Sequence, residues 1–124
     1  MKISILEDSV KDLEEIYSSV PRDSSRIFYF IHETDANPEE KFEYICMRLT
    51  KMGFERQNIF PGYNKEHDSE TDVYFIDGLE GAAISIIEKN NIQKDRVYIS
   101  TSNEELRMEC GKQGYKTIIK PPIL

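Results

Sequence analysis

Short apolar strand segments alternate with amphipathic helical segments along the chain, and this order constrains the fold more than any other feature. An alternation of this kind gives a mostly parallel sheet whose helices cross over between strands. Strands are predicted at residues 2–7, 26–33, 72–77, 96–100 and 115–120, and helices at 9–20, 38–52, 80–90 and 103–112. We therefore expect one α/β domain spanning residues 1–124.

Capping residues set the ends of the first two helices. Ser9 can cap the first helix, and Pro21 ends it. Asn37 and Pro38 are typical of a helix start, and Gly53 of a helix end. Between them the apolar residues form one stripe at helical spacing: Phe42, Ile45, Cys46, Leu49 and Met52.

The stretch from residue 54 to residue 70 has no clear periodicity. A Pro61-Gly62 turn and a polar run indicate mostly loop. An extra short strand at 58–63 is left open.

The composition excludes several classes of protein. A net charge of −7 opposes binding to nucleic-acid phosphates. No tract is long and apolar enough to cross a membrane, and the first residues do not resemble a secretory signal, so we expect a cytoplasmic protein. Cys46 and Cys110 belong to no C-x-x-C pair, which predicts buried, reduced thiols.

Chemically active side chains follow four of the predicted strands. Glu7 and Asp8 end the first strand, Asp77 ends the third, a Ser-Thr-Ser run at 100–102 ends the fourth and Lys120 ends the fifth. The carboxyl ends of parallel strands share one edge of the sheet, where α/β proteins bind ligands. Any one of these acids alone is more often a solvated loop residue, and the joint placement is what indicates a site.

Three converging carboxylates require a cation. At an effective dielectric constant of about 20, two such charges about 4 Å apart repel by roughly 4 kcal/mol. Mg²⁺ prefers hard oxygen ligands and keeps water and phosphate oxygens in its shell. We therefore expect Mg²⁺, with one carboxylate able to attack phosphorus.

Four segments in this order resemble the receiver domain of two-component response regulators: ISILEDS, VYFIDG, VYISTS and IIKPP. The resemblance implies a doubly wound, flavodoxin-like sheet of five strands in the order 2-1-3-4-5. It also implies that Asp77 is the phosphoacceptor, that Asp8 binds Mg²⁺ directly, that Glu7 acts through water and that the Leu79 carbonyl binds the metal.

The resemblance assigns the remaining site residues as well. Thr101 fits the switch hydroxyl, because Ser102 then takes the small-residue position after it, and Ser100 is the alternative. Lys120 would contact a phosphoryl oxygen. Beyond its own phosphorylation and dephosphorylation, no enzymatic activity is expected.

The implied partners are a histidine kinase or phosphotransfer protein and a downstream protein target. The family's fifth helix has no counterpart after Lys120, which predicts one bare face on the last three strands unless residues 54–70 fold across it. Exposed apolar faces mark interfaces, so we expect a homodimer or a partner protein there.

Other functions fit less well. A pseudo-receiver that signals without phosphorylation remains the main alternative. A haloacid-dehalogenase-like phosphatase would need an acid at the position of Leu79, and no P-loop or G-x-G-x-x-G sequence is present. His32 and His67 lack metal-ligand spacing and are expected to be solvated or hydrogen-bonded.

Overall fold

The computed structural model describes residues 1–15, 17, 19–32 and 35–119. These residues form a single six-stranded sheet in the order β3-β2-β1-β4-β5-β6, in which every pair of neighbours is parallel. The strands are β1 (Ile3–Glu7), β2 (Arg26–Tyr29), β3 (Ile59–Pro61), β4 (Val73–Asp77), β5 (Val97–Ser100) and β6 (Lys116–Ile118). The predicted α/β class is confirmed.

Four α-helices connect the strands in the described part of the chain: α1 (Val10–Glu15), α2 (Pro38–Lys51), α3 (Ala83–Lys89) and α4 (Glu104–Lys112). The Ser9 hydroxyl accepts a hydrogen bond from Asp12 N at 3.3 Å, as expected of a cap. Asn37 precedes α2 as predicted, but its side chain makes no capping hydrogen bond. None of these helices has the length and apolarity needed to cross a membrane.

The predicted strand number and order are wrong. Five strands in the order 2-1-3-4-5 were expected, whereas β3 adds a sixth strand at the edge, where Ile59 pairs with Ile27 of β2. This strand falls within the region left open at 58–63. Residues 55–61 pass to the outer side of β2, where β3 forms. The chain then crosses back to the other side of β1 and forms β4, so the sheet has an edge strand that the five-strand prediction lacks.

The order of the strands determines which face each helix covers. Right-handed crossovers from β1 to β2 to β3 place α1 and α2 on one face, and the reversed direction from β4 to β6 places α3 and α4 on the other. The two core clusters agree: Leu13 and Leu49 pack in one, and Ile87 and Cys110 in the other. Strand order therefore reverses between β1 and β4.

Both cysteines are buried and free, as the sequence predicts. Cys46 belongs to the core cluster under α2, and Cys110 to the cluster under α4. Burial raises the pKa of both thiols.

The stretch from residue 54 to residue 70 does not fold over the face that was predicted to be bare. Phe60 stacks on Phe28 with ring centroids 5.3 Å apart, and Tyr63 also contacts Phe28. These rings join the core cluster on the α3 and α4 face. The exposed His67 stacks on Phe60 with ring centroids 4.3 Å apart.

An apolar groove of about 540 Å³ lies on the α1 and α2 face, over β4 to β6. Val73, Phe75, Tyr98 and Ile118 line it and are only partly buried. The rest of the lining comes from residues outside the described helices: Met1, Ile3, Ser19, Val20 and Pro21. The described part of the chain thus leaves open the face that the sequence predicts to be bare, and we call it the open groove.

A buried carboxylate fixes the long connection between β3 and β4. The side chain of Asp68 is only 3% exposed, and it accepts hydrogen bonds from the hydroxyls of Tyr63, Tyr74 and Thr71. Arg26 Nη1 lies 3.8 Å from its Oδ1 atom. This Asp68 network joins the connection to β2 and β4 at the amino-terminal edge of the sheet.

The Asp68 network makes stability depend on alkaline pH. Desolvation first, and then the hydrogen bond to Asp68, raise the pKa of Tyr74 to about 12 from its ordinary value of 10.0. The stabilisation that the protonated Tyr74 hydroxyl provides is fully present below about pH 10. It is lost as the pH rises toward 12, because Tyr74 ionises at a lower pH in the unfolded chain than in the folded protein. Over that pH interval the free energy of unfolding of the wild type should fall by about 2–3 kcal/mol more than that of Tyr74→Phe.

Denaturant titrations at successive pH values would measure this difference. Tyr44→Phe is the matched control, because the Tyr44 side chain lies at the surface. Equal pH slopes for wild type and Tyr74→Phe would contradict the prediction.

Candidate functional site

The sheet register places three polar side chains in one row at its carboxyl edge. Leu6 pairs with Ile76, so Glu7 and Asp77 stand at the next level, and Asp77 pairs with Ser100. Alternation along a strand keeps every second side chain on the same face. Phe75 and Tyr98 stack with centroids 5.9 Å apart, so Asp77 and Ser100, two residues further on, also share a face.

The three predicted acids come together. Glu7, Asp8 and Asp77 each offer one carboxylate oxygen, and these oxygens lie within 4.8 Å of one another. Glu7 is fully buried, whereas Asp8 and Asp77 are partly exposed. We call this group the acidic cluster. It lies between β1 and β4, where strand order reverses, and α/β sheets bind ligands at such points.

Main-chain amides orient two of these carboxylates. Asp8 N donates to Glu7 Oε2 at 2.9 Å, and Leu79 N donates to Asp77 Oδ2 at 2.8 Å. Leu79 adopts a positive φ of 49°, which is uncommon for leucine and turns the chain sharply behind Asp77. The Leu79 carbonyl accepts from Ala82 N at 3.0 Å, and its predicted contact with a metal stays a prediction.

Two hydroxyl groups lie at the carboxyl end of β5, and they have different surroundings. Ser100 is fully buried on the face that carries Asp77, and its Oγ has no hydrogen-bond partner among the described residues. Thr101 Oγ1 instead accepts from Asn103 N at 3.1 Å and packs against Gly78. The geometry therefore favours Ser100, the alternative from the sequence, as the hydroxyl beside Asp77.

Two side chains, one at the end of β2 and one just after it, contact Asp8. Tyr29 Oη donates to the Asp8 carbonyl at 2.9 Å, and His32 Nε2 lies 3.0 Å from Asp8 Oδ2. Burial raises the pKa of Tyr29. The sequence predicts a His32 that is solvated or hydrogen-bonded, and it does not connect this residue with the acids. The available signal was position, because β2 and β1 are neighbours and His32 follows β2.

Lys120 and residues 121–124 lie outside the described residues. The predicted contact between Lys120 and a phosphoryl oxygen therefore stays a prediction.

The acidic cluster fits a divalent cation on two grounds. Three carboxylates supply hard oxygen donors at one point, which is the ligand chemistry that Mg²⁺ prefers. The second ground is Ser100 Oγ, a buried polar atom beside Asp77 that the described residues leave without a hydrogen bond. Glu7, Asp8 and Asp77 are the residues that would hold the ion.

Comparisons with known proteins add no family assignment. No family model matches the chain, and neither curated proteins nor solved structures give a match. The functional argument therefore rests on the acidic cluster and its surroundings.

Proposed function

We propose that this protein is a Mg²⁺-dependent phosphoacceptor of the receiver type, in which Asp77 accepts the phosphoryl group. The observation that carries the proposal is the meeting of three carboxylate oxygens within 4.8 Å at the point where strand order reverses. Structural acids at strand ends do not need to converge in this way, because their mutual repulsion opposes it.

Asp77 suits the acceptor role better than Glu7, and the family resemblance assigns Asp8 to the metal. Glu7 is fully buried, so an incoming phosphoryl donor reaches Asp77 more easily. In the transfer, an Asp77 carboxylate oxygen forms a bond to phosphorus while the bond from phosphorus to the donor breaks, and the leaving group keeps that electron pair. Mg²⁺ would supply neutralising charge to the phosphoryl oxygens.

Other side chains around Asp77 would bind or orient the transferred group. Leu79 N already donates to one Asp77 oxygen and so fixes the rotation of this carboxylate. The Ser100 hydroxyl would donate to a phosphoryl oxygen, with Thr101 positioning the chain after β5. Lys120 would contribute the positive charge that the family resemblance implies.

The proposed partners follow from this role. A histidine kinase or phosphotransfer protein would supply the phosphoryl group in the cytoplasm. The open groove, with Phe75 and Tyr98 partly exposed on the same face as Asp77, offers apolar surface to a downstream target or a second copy of the chain.

Intact mass after incubation with Mg²⁺ and acetyl phosphate tests the proposal. We expect the wild type to gain the mass of one phosphoryl group, and Asp77→Asn to gain none. Asp95→Asn, which removes a carboxylate just before β5 and thus at the opposite edge of the sheet, is the matched control and should be modified like the wild type. An unmodified wild type would overturn the proposal.

The open groove also favours one alternative. An interaction module with a receiver-like sheet would use this surface without phosphorylation, and the acidic cluster would then serve only to bind a cation. Binding of Mg²⁺ by a wild-type protein that takes no phosphoryl group would support this pseudo-receiver.

A further inference from the structure

We infer that His32 is a positioning residue for the cation site and acts through the carboxylate of Asp8. This inference rests on the part of the proposed function that assigns a divalent cation to the acidic cluster. His32 follows β2, and its Nε2 atom lies 3.0 Å from Asp8 Oδ2, whereas the cation ligands themselves come from β1 and β4.

The direction of the hydrogen bond follows from its acceptor. An ionised carboxylate accepts hydrogen bonds and cannot donate one, so Nε2 of His32 carries the proton in the cation-binding state. The bond occupies Oδ2 from one side and so restricts the rotation of the Asp8 carboxylate. Because the His32 side chain is 49% exposed and that of Asp8 only 19%, the imidazole lies on the solvent side of this carboxylate.

Two further contacts complete a chain of support from β2 into the acidic cluster. Tyr29 Oη donates to the Asp8 carbonyl at 2.9 Å and so fixes the main chain where His32 fixes the side chain. The Asp8 amide in turn donates to Glu7 Oε2 at 2.9 Å. Contacts from the end of β2 therefore orient Asp8 directly, and Asp8 in turn orients the Glu7 carboxylate.

Hydrogen bonds from outside the ligand set orient metal ligands, and their removal typically lowers metal affinity about 10- to 100-fold. The second observation that points to a ligand here is independent of His32. Ser100 Oγ is buried and has no hydrogen bond among the described residues. Ser100 flanks Asp77 from β5, as Glu7 does from β1, and all three side chains lie on the same face of the sheet.

Isothermal titration with Mg²⁺ tests this role on the full chain. His32→Ala should weaken Mg²⁺ binding about 10- to 100-fold relative to the wild type. His32→Gln should recover most of the affinity, because its amide can donate to Asp8 as Nε2 does. His67→Ala is the matched control, since His67 stacks on Phe60 away from the carboxyl edge, and should bind Mg²⁺ like the wild type.

Two measurements separate positioning from a general structural effect. The urea midpoint of His32→Ala without Mg²⁺ should equal that of the wild type. In a double-mutant cycle, His32→Ala should cause no further loss of affinity once Asp8 is already Asn, because its effect passes through Asp8.

The outcomes also distinguish this inference from the proposed function. Equal Mg²⁺ affinity of wild type and His32→Ala would overturn the inference alone. A wild type that binds Mg²⁺ with the expected His32 dependence but takes no phosphoryl group would support the inference and overturn the phosphoacceptor proposal. A wild type that binds no Mg²⁺ would overturn both.

Discussion

Asp68→Ala should lower the free energy of unfolding by about 3–5 kcal/mol, the range seen when one partner of a buried ion pair is removed. The substitution removes the Asp68 carboxylate that accepts from three hydroxyl groups and lies beside Arg26. A buried donor that loses its acceptor costs about 1–3 kcal/mol, so the loss of three acceptor contacts is consistent with an effect of this size.

Urea unfolding followed by circular dichroism would measure the change. Glu66→Ala, an exposed acid two residues earlier, is the matched control and should change stability by less than about 0.5 kcal/mol. Thr71→Val removes a single hydroxyl from the network and keeps the measurement informative if Asp68→Ala does not fold. A cost of Asp68→Ala no greater than that of Glu66→Ala would show that the network contributes nothing net.

Mg²⁺ at about 100 times its dissociation constant should raise the free energy of unfolding of the wild type by about 2.7 kcal/mol, and a chelator should reverse the effect. The reason is that the ion binds the folded chain, where Glu7, Asp8 and Asp77 converge, and not the unfolded chain, where they are far apart. Asp77→Asn or Asp8→Asn should remove most of this stabilisation.

Thermal unfolding with and without Mg²⁺ measures this effect. Asp95→Asn again provides the control, because it removes the same charge at the amino-terminal edge and should respond to Mg²⁺ like the wild type. If Mg²⁺ stabilised Asp77→Asn as strongly as the wild type, its effect would arise from sites other than the acidic cluster.

Local sequence signals predicted much of the secondary structure. The apolar stripe of α2, with Pro38 at its start and Gly53 just after its end, has the period and the boundary residues of a helix. The acids Glu7 and Asp77 could be placed at one edge because parallel strands share their carboxyl ends. The structure bears out this meeting of the acids.

Register and long-range pairing could not be predicted in the same way. Whether Ser100 or Thr101 faces Asp77 depends on a shift of one residue, and such a shift exchanges the two faces of a strand. The strand β3 has only three residues and includes Pro61, so it carries little pattern of its own. The contact between Asp68 and Arg26 joins residues 42 positions apart and leaves no local trace.

The reversal of strand order divides the chain into two sequence halves, residues 3–61 and 73–118, whose strands pair with each other through β1 and β4. Glu7 and Asp8 come from the first half and Asp77 from the second. An ion bound by all three would therefore link the two halves at the carboxyl edge of the β1–β4 pair. Residues 62–72 connect the two halves, and the Asp68 network holds them at the opposite, amino-terminal edge of the sheet. Ion binding at one edge and the Asp68 network at the other would therefore both oppose separation of the halves.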